Sequence, residues 1–284
     1  MTALPDRRLN AYRPDLAEAG LAGIVAAERY VEGTPAAVAV PVAALRPRPD
    51  EAAGIDTQLL FGETVRLFDR AEGWAWVKAD ADGYVGYLPE TALRETGGPA
   101  THIVAAPRTF AYTGNDLKTP AAFTLSMGSR LTISGESETR GTRYLTLSGG
   151  QSVVAAHCIA IGEPPDDDYV ATAARFLETP YLWGGRSGFG IDCSGLVQLS
   201  MMMAGRKAPR DSDMQAAGLG VPIEREALRR GDLVFWRGHV AIMEDERTIL
   251  HANGHTMNVA REGLEEAIRR IGWLYQQPTG LRRP

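Results

Sequence analysis

One stretch constrains this chain more than any other: YLWGGRSGFGIDCSGLVQLSMMMAGR, residues 181–206. A glycine-rich loop runs straight into an apolar segment that starts at Cys193 and continues to about Ala204, which reads as a buried helix with a cysteine in its first turn. A thiol placed there faces unpaired backbone N–H groups and the positive end of the helix dipole. Both favour thiolate, so the expected pKa lies below the free value of about 8.5. The alternative is a cysteine that only packs as a small hydrophobe. The polar neighbours Asp192 and Ser194, and glycines that let backbone or substrate come close, argue against it.

Downstream, LRRGDLVFW, HVAIMED and TILHANG read as three strands in succession. A helix followed by an antiparallel sheet is an α+β layout. His239 opens the second of these strands and His251 closes the third, so two adjacent strands can set the imidazoles side by side. A nucleophile needs a base, and the base needs a group that fixes its tautomer. Cys193, His239 and His251 supply that set, with His255 the weaker candidate for the orienting group. Zinc is not expected, because tightly spaced pairs such as C-x-x-C are missing. The second cysteine, Cys158 in VVAAHCIAIG, reads as strand core. His102 and His157 read as structural or exposed, and Met201 to Met203 as helix core.

The 284 residues, 44% hydrophobic and 23% charged, are enough for two or three domains without disulfides or a structural metal. A net charge of -5 gives no reason to expect nucleic acid or an anionic membrane as partner. Residues 1–35 read as an N-terminal arm with a helix near Leu16 to Val31. Residues 36–97 and 98–163 are rich in short strands and turns, with hairpin signals at Asp82-Gly83 and Gly149-Gly150, and each reads as a small all-β barrel. Leu131 to Ser134, Arg143 to Leu147 and Val153 to Ile161 are the strands expected in the second. Pro164 to Asp168 reads as a polar linker whose Asp168 caps a helix beginning at Tyr169, and residues 164–284 form the α+β domain.

The segments around Cys193, His239 and His251, taken with RRGDLVFW, resemble the NlpC family of papain-like cysteine peptidases over roughly the last 115 residues. LLFGE, GWAWV and GYVGYLP resemble a bacterial SH3-like domain, and the following segment a more diverged one. The resemblance implies Cys193 as nucleophile, His239 as base and His251 as its orienter. Ala241 stands where the family more often has glycine, and only a packing effect is expected from that. The implied substrate is the stem peptide of peptidoglycan, cut between γ-D-glutamate and a diamino acid. In members with two SH3-like domains, a carboxylate of the first reads a free N-terminal L-Ala; Glu63 matches that position, and Tyr84 or Tyr87 matches the aromatic that lines the pocket. Tyr181 matches a tyrosine near the oxyanion, and Asp192, Ser194, Asp211 and Ser212 match substrate contacts. No cofactor is implied.

Such selectivity suits recycling of wall peptides. No signal-peptide or membrane-spanning run follows Arg7, Arg8 and Arg13, so a cytoplasmic location is the expectation; a monomer is expected as well. The competing readings are an amidase or acyltransferase on another acyl compound, and a non-catalytic wall-binding protein.

Overall fold

The computed structural model describes residues 4–163, 167–274 and 276–284. The expected linker residues Pro164, Pro165 and Asp166 lie outside the described residues. The chain divides into two compact units, one ending at Ile161 and the other beginning at Gly162.

The N-terminal unit holds two β modules. In the first, Thr34–Val38, Thr64–Ala71, Trp74–Ala79, Val85–Pro89 and Leu93–Glu95 form one antiparallel sheet, and Val42–Leu45 pairs with Thr57–Leu60. Alternating residues turn Val65, Ala75, Val77 and Leu88 into a core shared with Val38, Leu45, Leu59 and Tyr84. The expected turn at Asp82-Gly83 is present: Gly83 has φ 78° and the Asp82 carboxylate accepts the Tyr84 N–H at 3.0 Å. The second module buries Val104, Leu125, Leu131, Leu145, Leu147 and Val153. Its expected hairpin turn is also present, with Gly150 at φ 89° between Thr142–Leu147 and Ser152–Val154.

Two expectations are corrected. Residues 16–31 form no α-helix. Leu16–Glu18 and Arg29–Val31 are short strands paired in parallel around a 3-10 turn, Ala19–Leu21. Gly20 and Gly23 weaken a helix here, and Gly23 sits at φ 80°, outside helical backbone. Leu16 instead packs with Trp76 and Val85, and Arg13 lies over the Trp76 ring at 4.5 Å while pairing with Asp69. The second correction is that Val153 to Ile161 is not one strand. A 3-10 turn, Ala155–His157, carries the chain from Ser152–Val154 in one sheet to Cys158–Ala160 in another.

The turn Phe61-Gly62-Glu63 joins the two modules. The Phe61 ring stacks on Phe123 at 5.3 Å, and the Phe61 carbonyl accepts the Arg130 N–H at 2.8 Å. Gly62 has φ 76°, and a Cβ there would lie 2.0 Å from the Arg130 carbonyl oxygen. The buried Glu63 carboxylate turns back to accept the Leu60 N–H at 2.8 Å.

In the C-terminal unit, α1 (Tyr169–Ala174) is capped by Asp168, whose side chain accepts the Ala171 N–H at 2.9 Å. It is followed by α2 (Cys193–Met203), α3 (Ser212–Gly218) and α4 (Leu264–Leu274). Six strands form one sheet in the order Val221–Pro222, Gly280–Arg283, Leu233–Trp236, His239–Met243, Thr248–Asn253, Asn258–Gly263. Leu264, Ala267 and Ile271 of α4 pack on Val234, Trp236, Ala241, Met243 and Ile249. The two-residue turn Arg237-Gly238 pairs Trp236 with His239, which places His239 at the open end of its strand.

The Gly62 approach gives a direct test. Gly62→Ala forces a left-handed side chain against a fixed carbonyl and is expected to lower unfolding free energy by at least about 2 kcal/mol. Gly54→Ala, where an added Cβ meets nothing within 4 Å, serves as the near-neutral control. Denaturant midpoints of the two variants check this, and equal midpoints contradict it.

Candidate active site

The nucleophile is set by the start of α2. Asp192 is the N-cap, and its Oδ1 accepts the Gly195 N–H at 2.7 Å. The same carboxylate is gripped by Arg210, whose Nη1 donates to Oδ1 at 3.0 Å and Nη2 to Oδ2 at 2.7 Å. Arg210 also donates to Ser194 Oγ at 2.9 Å and to the Gly185 carbonyl at 3.2 Å, and its side chain is 1% exposed. Gly195 is required for this closeness, since a Cβ there would lie 2.3 Å from the Gly185 carbonyl oxygen. The glycine-rich loop is thus locked against the first turn of α2, and Cys193 has little freedom.

Backbone N–H groups of Val240 and Ser194 point at the Cys193 sulfur. Val240 follows His239, so that contact brings the sulfur to the mouth of the histidine strand. His239 Nε2 lies 2.9 Å from His251 Nδ1, with ring centroids 5.2 Å apart. The Trp236 ring backs His239 at 5.6 Å. His251 is buried, and its Nε2 lies 3.2 Å from Glu262 Oε2, close but angled off the ideal hydrogen-bond axis. Arg270 of α4 donates to both oxygens of Glu262, at 2.9 and 2.5 Å.

The sequence led to the expectation of a stabilised thiolate, and the electrostatics correct it. Burial pushes the Cys193 thiol up to about 12, and the nearby Asp192 charge acts in the same direction; the Val240 and Ser194 N–H groups and Arg210 oppose it without prevailing. Burial, then the positive potential of His251 and Arg270, pushes His239 down to about 3. Both changes favour a neutral thiol and a neutral imidazole at rest. Burial also disfavours a charged Glu262, but the Arg270 hydrogen bonds, with the nearby His251 ring, outweigh it and hold the carboxyl at about 2, ionised across the working range.

The other expected residues are placed as follows. Half-buried Tyr181 lies near the sulfur; burial, with the Cys193 and Asp192 charges, keeps it a phenol. Asp192 and Ser194 are both buried and held by Arg210. Asp211 and Ser212 open α3 and are half-buried. His255 is exposed in a turn, its N–H bonded to Asn253, so His251 and not His255 meets the base. Within the N-terminal unit, Glu63 is buried and one oxygen of its carboxylate accepts the Leu60 N–H. Tyr84 is part of the first module's core, and Tyr87 is half-buried, stacked on Trp76 with its hydroxyl accepting from Arg13. Sequence reading missed Arg210 as a clamp, although it was adjacent to Asp211-Ser212, and missed Glu262 and Arg270 altogether. Strand register reveals Glu262, and the placement of α4 reveals Arg270.

A cysteine at a helix start beside a histidine pair on an antiparallel sheet defines a papain-like cysteine peptidase. Residues 178–271 match the NlpC/P60 family, and residues 45–93 match the bacterial dipeptidyl-peptidase Sh3 domain. Residues 178–271 are thus an NlpC/P60 cysteine peptidase domain. It is 32% identical over 195 residues to the gamma-D-glutamyl-L-lysine dipeptidyl-peptidase of Bacillus subtilis, covering 64% of each chain. It is 29% identical to the protein of the same name from Bacillus cereus over 70% of this chain and 67% of that one. The chain therefore spans about two thirds of the length of those two relatives. Dipeptidyl-peptidase 6 of Lysinibacillus sphaericus is 27% identical over 82% of this chain and 97% of its own. An NlpC/P60 family protein from Bacillus cereus shares the fold, with a TM-score of 0.73 and 24% identity over 88% of this chain and 99% of that one.

A neutral resting pair has a measurable signature. The rate of iodoacetamide alkylation at Cys193 is expected to climb steadily between about pH 6 and 9, as a thiol of high pKa requires. A plateau across neutral pH, read by mass spectrometry of the Cys193 peptide, contradicts it.

Proposed function

We propose that this peptidase cleaves the bond between γ-D-glutamate and a diamino acid in peptidoglycan stem peptides, releasing the N-terminal dipeptide. The carrying observation is the Cys193 site, with its sulfur beside the first turn of α2 and the His239–His251 pair. Its occurrence in one chain with a match to the bacterial dipeptidyl-peptidase Sh3 domain supports the substrate reading. The names of the Bacillus and Lysinibacillus relatives support it too.

The chemistry follows from which nitrogen is free. His239 Nε2 is occupied by His251, so Nδ1 is the basic atom. The Cys193 thiol gives its proton to Nδ1 as the sulfur attacks the γ-carbonyl of the glutamyl residue. Because the neutral pair is favoured at rest, proton transfer and attack are coupled, and no free thiolate has to accumulate. The tetrahedral oxyanion is met by the backbone N–H of Cys193 at the start of α2 and by the Tyr181 phenol. His239 then protonates the leaving amine of the diamino acid, which leaves a thioester on Cys193. Water, deprotonated by His239, attacks the thioester and frees the dipeptide with its γ-carboxylate.

Selection for a free N-terminal L-Ala fits a dipeptide-releasing enzyme that acts on peptides already cut from the wall. In intact peptidoglycan that amine is acylated. Such an enzyme belongs to recycling of wall peptides in the cytoplasm. Glu63 stays the candidate for reading that amine; the Leu60 N–H takes one oxygen of its carboxylate.

The test uses L-Ala-γ-D-Glu-L-Lys, its diaminopimelate counterpart and the N-acetylated form of each. Release of L-Ala-D-Glu is expected from the free peptides, with N-acetylation lowering kcat/KM by about a hundredfold or more. Cys193→Ala is expected to remove about a thousandfold or more of the activity with the fold intact. Equal turnover of the acetylated peptide defeats the free-amine selectivity. Cleavage of simple acyl amides but of no stem peptide favours the amidase reading.

A further inference from the structure

We infer that Glu262, gripped by Arg270, is a positioning residue that fixes the tautomer of His251 and, through it, the tautomer of His239. This rests on the peptidase reading of the Cys193 site and adds two residues that no part of that reading requires.

The argument is a count of protons along a line of contacts. For His239 to take a proton from Cys193 at Nδ1, that nitrogen must carry a lone pair, so the ring hydrogen sits on Nε2. His239 Nε2–H then donates to His251 Nδ1, 2.9 Å away. His251 Nδ1 must therefore be bare, which puts the hydrogen of its ring on Nε2. A buried N–H needs an acceptor, and the group beside His251 Nε2 is a Glu262 oxygen, 3.2 Å away and off the ideal hydrogen-bond axis, so that a small rotation of either side chain completes the bond. A carboxylate ionised across the working range accepts and never donates, so it admits one tautomer and not the other. A hydroxyl or an amide at the same place would admit both.

Sheet register and helix packing create this contact. Ile249 pairs with Glu262 and His251 with Ala260, so Glu262 is the diagonal neighbour of His251 on one face of the sheet. Ile249, two residues from His251 and on that same face, packs against Leu264, Ala267 and Ile271 of α4. The same helix carries Arg270, whose two hydrogen bonds hold the Glu262 carboxylate in place. The positioning line is His239, His251, Glu262 and Arg270, running from strand mouth to helix.

A residue that only braces α4 against the sheet predicts something different. Glu262→Gln and Arg270→Gln both break the Glu262–Arg270 pair, so a bracing role makes their effects equal. The inference makes them unequal, because only Glu262→Gln replaces the acceptor-only carboxylate at His251 Nε2 with an amide that can also donate. Imidazole 15N shifts of the free protein and alkylation of Cys193 by iodoacetamide at one fixed pH report the difference, and neither needs a peptide substrate. The wild type is expected to show His251 protonated at Nε2 and bare at Nδ1. Glu262→Gln is expected to give a mixed tautomer and at least a fivefold slower alkylation, with Arg270→Gln close to wild type in tautomer. On stem peptides the loss in Glu262→Gln falls on kcat with KM little changed. Equal behaviour of the two variants overturns the inference. So does wild-type His251 protonated at Nδ1, a result that stands even if a variant fails to fold. Failure of the stem-peptide assignment leaves the tautomer readout untouched, so the two claims fail separately.

Discussion

The active site depends on a buried ion pair. Arg210 holds both oxygens of Asp192 while Asp192 caps α2, so one carboxylate ends the loop, starts the helix and fixes the residue that follows it. Breaking a buried pair by removing one partner typically costs about 3–5 kcal/mol, because the other charge is left unpaired. The pair is also shared: the same guanidinium reaches Ser194 and the Gly185 carbonyl. The loop before Cys193 and the helix after it are therefore one rigid piece, and the sulfur inherits its position from that piece and not from its own rotamer alone.

Rigidity of this kind is obtained by burial, and burial sets the electrostatic character of the site. A helix N-terminus and aimed N–H groups favour a sulfur anion, but exclusion from water disfavours it more, with Asp192 adding a like charge. The imidazole of His239 faces the same exclusion, in the direction of its neutral form. Two neutral groups interact through hydrogen-bond geometry and not through charge attraction. That makes ring orientation and tautomer the quantities the protein has to control, and the line from His239 to Arg270 acts on them.

Much of this was legible in the sequence because local chemistry and global position agree there. The glycine loop, the Asp192 cap and the apolar run announce α2 at its true start, and the two histidines announce strands that do pair with their expected neighbours. The illegible parts have physical causes. Glu262 and Arg270 join the site through a diagonal strand register and a helix face, neither of which leaves a spacing signal. The letters around Glu63 also build a turn that no spacing announces, in which Phe61 packs across, Gly62 admits a carbonyl and one Glu63 oxygen takes the Leu60 N–H. The segment Leu16 to Val31 reads as a helix, and two glycines with packing on Trp76 resolve it into strands and a turn. The ionisation of Cys193 was misjudged because dipole and backbone donors are visible in a sequence, whereas the depth of burial that opposes them is a property of the assembled unit.

The most direct test of the account is to catch the covalent intermediate. Rapid acid quench of the enzyme during turnover of L-Ala-γ-D-Glu-L-Lys or its diaminopimelate counterpart, followed by mass spectrometry of the digest, should find the L-Ala-γ-D-Glu acyl group on the peptide that contains Cys193. An acyl group on another residue, or product release with no acyl-enzyme under quench conditions that preserve a synthetic thioester, contradicts it.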